Sequence, residues 1–298
     1  MRQRAAACGS SGDAEGPAQP TRRASSVVEE ADPAPVRAIP KNPVARDLKL
    51  PLDTYMIDSA RSRQIFLATE ELKQKCMREQ GFDYVPEKPI PPAGPLGIEL
   101  RYGSADAKIA ATYGYRLPPE RDPSAQKKPP TENKGLSDKA FKALTGLKPG
   151  ERPKATTLGN SDRGCVGTAE RELAEGAPDI GDGMAAQILS QESFVRSMED
   201  QRAKKVFASW SGCMKEKGFD FKTPMDPAKE LTAAGPPTTA EKSTATADVE
   251  CKQKFNVVGV WYATETDYQN GSIHENTDQL NKLRIYNETV VKAASSLN

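Results

Sequence analysis

Cys76-Met77-Arg78-Glu79-Gln80-Gly81-Phe82-Asp83-Tyr84 returns later in the chain as Cys213-Met214-Lys215-Glu216-Lys217-Gly218-Phe219-Asp220-Phe221, with six of the nine positions identical. Two of the remaining changes, Arg to Lys and Tyr to Phe, keep charge sign or aromatic bulk, so the stretch reads as a duplicated unit. The charged, straight-chain residues around each cysteine favour helix. The glycine that follows is where a left-handed C-terminal cap costs least. The aromatic just past the glycine can fold back on the last turn, and Pro86 or Pro224 keeps the helix from resuming. Both copies therefore predict a helix end, at Gly81 and at Gly218.

The chain has 298 residues, of which 37% are hydrophobic, and its 24 Pro and 22 Gly thin the part that can pack. With 42 basic and 41 acidic residues the formal net charge is +1, so no global field points to nucleic acid or to an anionic membrane surface. No stretch approaches the roughly 18 consecutive apolar residues of a spanning helix. Five cysteines stand at 8, 76, 165, 213 and 251, with no Cys-x-x-Cys pair and a single histidine, so neither zinc-finger nor thioredoxin spacing is present. No metal or cofactor is expected. Cys8 stands apart, and the four cysteines of the body suit two disulfides and an oxidising compartment. Of the three connectivities open to four cysteines, the duplication favours Cys76 with Cys165 and Cys213 with Cys251, each motif cysteine bonding the next one along.

Residues 1–50 carry Pro, Ala, Ser and mixed charge without a periodic apolar face and read as a disordered tether. The opening, Ala6-Ala7-Cys8-Gly9-Ser10-Ser11, resembles the end of a bacterial lipoprotein signal, in which the cysteine is lipidated, although the apolar stretch such a signal needs is missing ahead of it. Either the true start lies upstream of Met1 or the match is accidental. The four body cysteines favour export. A lipid on Cys8 would leave a tether holding the body about 35 Å from the membrane.

The body is expected to be mainly α, in two related disulfide-linked helical halves, 51–178 and 179–298, forming one compact unit. A first helix capped by Asp53 or Thr54 runs to Gln80. An irregular, Pro-rich excursion with short helical pieces follows, then a helix Asp138–Thr145 capped by Ser137 and stopped by Gly146. Thr168 can cap Ala169–Glu175. The strongest pattern, Met184–Lys217, predicts one long helix with Trp210 a turn from Cys213. It should pack against a helix capped by Thr246, with a break at Asn270-Gly271 before a last helix to about Ala294.

No catalytic constellation accompanies His274, the one histidine, because a Gly-x-Ser-x-Gly elbow is absent and its neighbourhood is polar. The duplication singles out the carboxylates Glu79, Asp83, Glu216 and Asp220, whose plain role is solvation or a capping hydrogen bond. Asp179-Ile180-Gly181-Asp182-Gly183 lacks the full ligand series of an EF-hand. Asn287-Glu288-Thr289 has the form of a glycosylation sequon on a predicted helix.

The motif pair, together with Gly164-Cys165-Val166-Gly167 continuing to Arg171, Asp248-Val249-Glu250-Cys251-Lys252 and Val258-Gly259-Val260-Trp261, resembles a group of actinobacterial, Streptomyces-like secreted or lipidated proteins over roughly residues 53–290. That resemblance implies an envelope location, an envelope or transporter protein as partner and contact with membrane through a lipid anchor alone. It implies no activity and carries over no functional residue besides the cysteines. The leading expectation is a cell-envelope binding or accessory protein. The alternative is an envelope hydrolase using carboxylates near the 86–164 loop.

Overall fold

The computed structural model describes residues 38–89, 98, 100–122, 133, 135–151, 163–181, 183–232 and 235–297. Among these the chain forms α1 (Ser59–Glu79), α2 (Ala107–Tyr113), α3 (Asp138–Thr145), α4 (Gly164–Leu173), α5 (Ala185–Glu199), α6 (Gln201–Glu216), α7 (Asp226–Leu231), α8 (Thr239–Lys254), α9 (Val257–Glu275) and α10 (Thr277–Leu297), and no strand. The protein is mainly helical. Cys8 lies outside the described residues.

The two motif copies end α1 and α6 in the same way. Phe82 N–H donates to the Met77 carbonyl and Phe219 N–H to that of Met214, both at 2.9 Å, while the glycine N–H reaches Arg78 O in one copy and Lys215 O in the other. Gly81 at φ +79° and Gly218 at φ +89° supply the left-handed residue that this Schellman cap requires. The likeness reaches the chain beyond the cap. Gln74 donates to the Tyr84 carbonyl at 3.0 Å, and Ser211, two residues before its own cysteine as Gln74 is, donates to the Phe221 carbonyl at 2.6 Å.

Two disulfides brace these helix ends. Cys76 bonds Cys165 with Cα atoms 5.5 Å apart, joining α1 to α4, and Cys213 bonds Cys251 at 5.8 Å, joining α6 to α8. These are the pairs that the duplication predicts. Cys165 sits in the first turn of α4 and Cys251 in the last turn of α8, so the likeness between copies holds at the first cysteine and not at the second.

The main core gathers around Trp261. Phe194 stacks on its indole at 5.3 Å, Phe207 and Tyr102 meet it edge-on at 4.8 and 5.2 Å, and its Nε1 donates to Ser197 Oγ at 2.9 Å. Trp210 and the Cys213–Cys251 bridge share this cluster. A second cluster joins α1, α4 and α10 through Leu72, Leu173 and Val290. The last helix thus packs on the first, and α2 of the excursion packs on α8, so the packing does not follow the sequence division at residue 178.

Several boundaries differ from expectation, each for a tertiary or capping reason. Asp53 accepts from Leu50 N–H in a short 3-10 turn, Pro51–Tyr55, and Asp58 is the cap of α1. The helix expected over Met184–Lys217 breaks at Asp200, whose ψ is 142° and whose carboxylate accepts from Arg202 N–H. Arg202 also pairs with Asp267 on α9, and Tyr268 donates to Asp200, which fixes the break against the core. Burial pushes the Asp200 carboxyl up, but the Arg202 hydrogen bonds and charge, with Tyr268, overcome it and hold the group below its ordinary value. Thr168 and Thr246 are mid-helix residues whose hydroxyls bond carbonyls one turn back, and Thr238 caps α8. The chain turns at Asn256, φ +52°, and α9 then runs straight through Asn270-Gly271. Residues 38–50, expected in the tether, belong to the folded body. Leu50 is buried, the Pro40 carbonyl accepts from Asn256, and the Lys49 carbonyl accepts from Tyr262.

Candidate functional site

The excursion after the first motif lies across one face of α8. Glu241, Ala245, Asp248, Val249 and Lys252 recur there at helical spacing and are all buried. Glu241 accepts from the backbone N–H of Tyr115 at 3.3 Å and pairs with Arg116 at 3.2 Å. Further along, Asp248 accepts from Trp210 Nε1 at 2.8 Å and pairs with Lys252 at 2.9 Å. The Lys252 ammonium also donates to the Ser104 carbonyl at 2.9 Å. Burial pushes the Asp248 carboxyl up, and Lys252 with the hydrogen bonds from Trp210 pulls it back only in part. Gly103, at φ +72°, is what lets the chain come this close, since a Cβ there would stand 2.7 Å from Lys252 Nζ and 3.2 Å from the Pro224 carbonyl. Just before Gly103, Arg101 grips Glu265 of α9 and the Ser190 carbonyl, and Tyr102 and Gln269 complete the Glu265 carboxylate.

Held this way, residues 100–117 form a cleft of about 380 Å³ with the 3-10 turn Ala45–Asp47 and the end of α8. Its walls are apolar: Val44, Leu100, Ile109 and Leu117, with small alanines between them. Val44 and Leu100 remain 45% and 42% exposed, so the cleft presents apolar surface to solvent. Arg46 and Lys108 also line it, both exposed and without an ion pair among the described residues. Asp106 is its one carboxylate among the described residues, and it is occupied as the cap of α2, accepting from Lys108 and Ile109 N–H. Tyr115 also borders the cleft and packs against Ala245 and Val249 of α8. Its hydroxyl is buried beside Asp248 without a hydrogen bond of ordinary geometry among the described residues, and burial, then the Asp248 charge, raises it far above its usual value. The arrangement offers a mainly apolar slot lined by two cations that make no ion pair among the described residues.

The sequence-stretch carboxylates lie elsewhere. Glu79, Asp83, Glu216 and Asp220 are exposed at the two helix ends, and none lines this cleft. His274 is exposed in the last turn of α9. Asp179 accepts from Gly181 N–H in a local turn, and among the described residues no group of three His, Cys, Asp or Glu is placed to hold a metal. Asn287 sits on α10 with its amide bonded to the Tyr55 carbonyl. The cleft itself has a faint trace in the sequence. Charged residues at 241, 248 and 252 read as an ordinary solvated helix face, so only Gly103, as a point of close approach, hints at it.

Compared with protein-family models, with curated proteins and with solved structures, the chain matches none of them.

Proposed function

We propose that this is an extracytoplasmic binding protein of the cell envelope whose cleft over α8 takes an amphiphilic anion, an apolar chain carrying an acidic head. The observation that carries the reading is the meeting of exposed Val44 and Leu100 with Arg46 and Lys108, which make no ion pair among the described residues, around one concave site. Ligand sites are concave and mostly apolar, with a few polar groups that fix orientation. Apolar walls would hold the chain, and the two cations would hold the head. The two disulfides support the compartment, because such bonds persist where the environment is oxidising. Among the described residues no helix is long and apolar enough to cross a membrane. A lipid on Cys8, an envelope or transporter protein as partner, and kinship with actinobacterial secreted proteins belong to the same proposal.

Titration calorimetry with dodecanoate tests it. Saturable binding is expected, weakened about tenfold or more by Arg46→Glu with Lys108→Glu and by Leu100→Glu, all exposed positions. Dodecanoate that fails to saturate, or that binds these variants as it binds the wild type, would remove the ligand reading. Carboxylate-dependent turnover of cell-wall material by the protein would favour the hydrolase instead.

A further inference from the structure

The duplicated stretch holds one change that keeps neither charge nor shape, Gln80 against Lys217, and the two residues meet their disulfides differently. Gln80 closes α1 with its amide on the first bridge, where Nε2 donates to Cys165 Sγ at 3.1 Å and to Cys76 Sγ at 3.4 Å. Lys217, at the same place after α6, directs its ammonium to Glu250 at 2.6 Å. The bridges also differ in exposure. Cys213 is 5% exposed and Cys251 0%, both within the core around Trp261, whereas Cys76 is half-buried and only its partner Cys165 is fully enclosed. Helix ends separate them further. Cys76, Cys213 and Cys251 stand in last turns, at the negative end of the helix dipole, while Cys165 alone of the four bonded cysteines stands in a first turn, at the positive end of α4.

We infer that Cys76–Cys165 is a thiol-exchange site open to a small external thiol, while Cys213–Cys251 is a closed staple. A thiolate attacks Cys76 Sγ, on the more exposed cysteine of the pair. The new sulfur–sulfur bond forms to Cys76 as the bond to Cys165 breaks, and Cys165 leaves with the bonding pair as a thiolate. A second thiolate then attacks the external sulfur of the mixed disulfide, so that Cys76 also leaves as a thiolate and the two external thiols depart as their own disulfide, having passed two electrons to the pair. Exchange is faster when the leaving sulfur is the better-held anion. Burial alone would raise the Cys165 thiol, and the Gln80 amide with the first turn of α4 opposes that by setting a donor and a positive dipole at the sulfur. The second bridge has neither a half-exposed cysteine nor a sulfur at a positive helix end. Opening the first bridge does not release α4, because Ala68 and Leu72 of α1 share a buried cluster with Ala169 and Leu173 of α4, so the sulfurs stay close enough to close again.

Native full-length protein treated with 2-mercaptoethanol, a thiol with no other ionising group, reads this directly. Samples are quenched with acid at intervals, alkylated in denaturant and mapped by mass spectrometry. The mixed disulfide should form on Cys76, with Cys165 as the free thiol, about tenfold or more faster than the second bridge opens. Gln80→Leu, at an exposed position, keeps the bulk of the side chain without its donor and should slow the exchange about threefold or more. Gln80→Arg, which restores donors, should recover the rate, with far-UV circular dichroism unchanged in both variants. Two bridges opening at one rate, the adduct on Cys165 in place of Cys76, or Gln80→Leu exchanging as fast as the wild type would overturn the site.

Discussion

Lys252 is 2% exposed, and its ammonium is held between the Asp248 carboxylate and the Ser104 carbonyl. A buried pair of this kind is weak evidence for stability in itself, because desolvation offsets most of the attraction. Removing one partner is different, since the other charge is then stranded. Lys252→Met should therefore cost about 3–5 kcal/mol, measured as a lower urea midpoint. A double variant, Lys252→Met with Asp248→Leu, should recover part of that loss. It would not recover all of it, because Trp210 Nε1 would lose its acceptor. If the single variant were as stable as the wild type, the excursion would not be anchored to α8 through this residue, and the wall of the cleft would need another explanation.

At the scale of elements, the repeated helix ends are where local chemistry and tertiary structure agree. A Cβ on Gly81 or on Gly218 would meet nothing within 4 Å, so replacing either by alanine adds no clash and costs only the left-handed backbone. Both Gly81→Ala and Gly218→Ala should lose about 1–2 kcal/mol, equally within error, in thermal or urea unfolding. A large difference between them would mean that the two caps are not the same device. These ends were legible from the sequence because glycine, aromatic and proline stand in fixed order, and the Ser137 and Gly146 boundaries of α3 were legible for the same reason. The breaks at Asp200 and Asn256 were not. Hydrophobic rhythm continues through both, and each is fixed by partners far along the chain, Asp267 and Tyr268 in one case and Pro40 and Asn42 in the other. The cleft over α8 was hidden for a related reason. Its walls come from three stretches that no periodicity connects, and a Pro-rich, aromatic excursion reads as irregular until Arg101, Gly103 and Arg116 are seen against α8 and α9.

At the scale of the molecule, the first and last long helices lie together and the excursion covers α8, so the body closes on itself and the disulfides span what packing already joins. They enclose separations of 89 and 38 residues, for which loop entropy gives roughly 4–5 kcal/mol each as an upper figure. An exported protein gains from such staples, whereas a cytosolic one would have them reduced. The measurement that tests this most directly is disulfide mapping of the protein taken from cells that make it. Thiols are blocked in the intact cells, the envelope and cytosolic fractions are separated, and unreduced peptides are read by mass spectrometry. The account predicts protein in the envelope or the medium with Cys76 linked to Cys165 and Cys213 linked to Cys251. Protein confined to the cytosol with all four cysteines blocked as free thiols would contradict it.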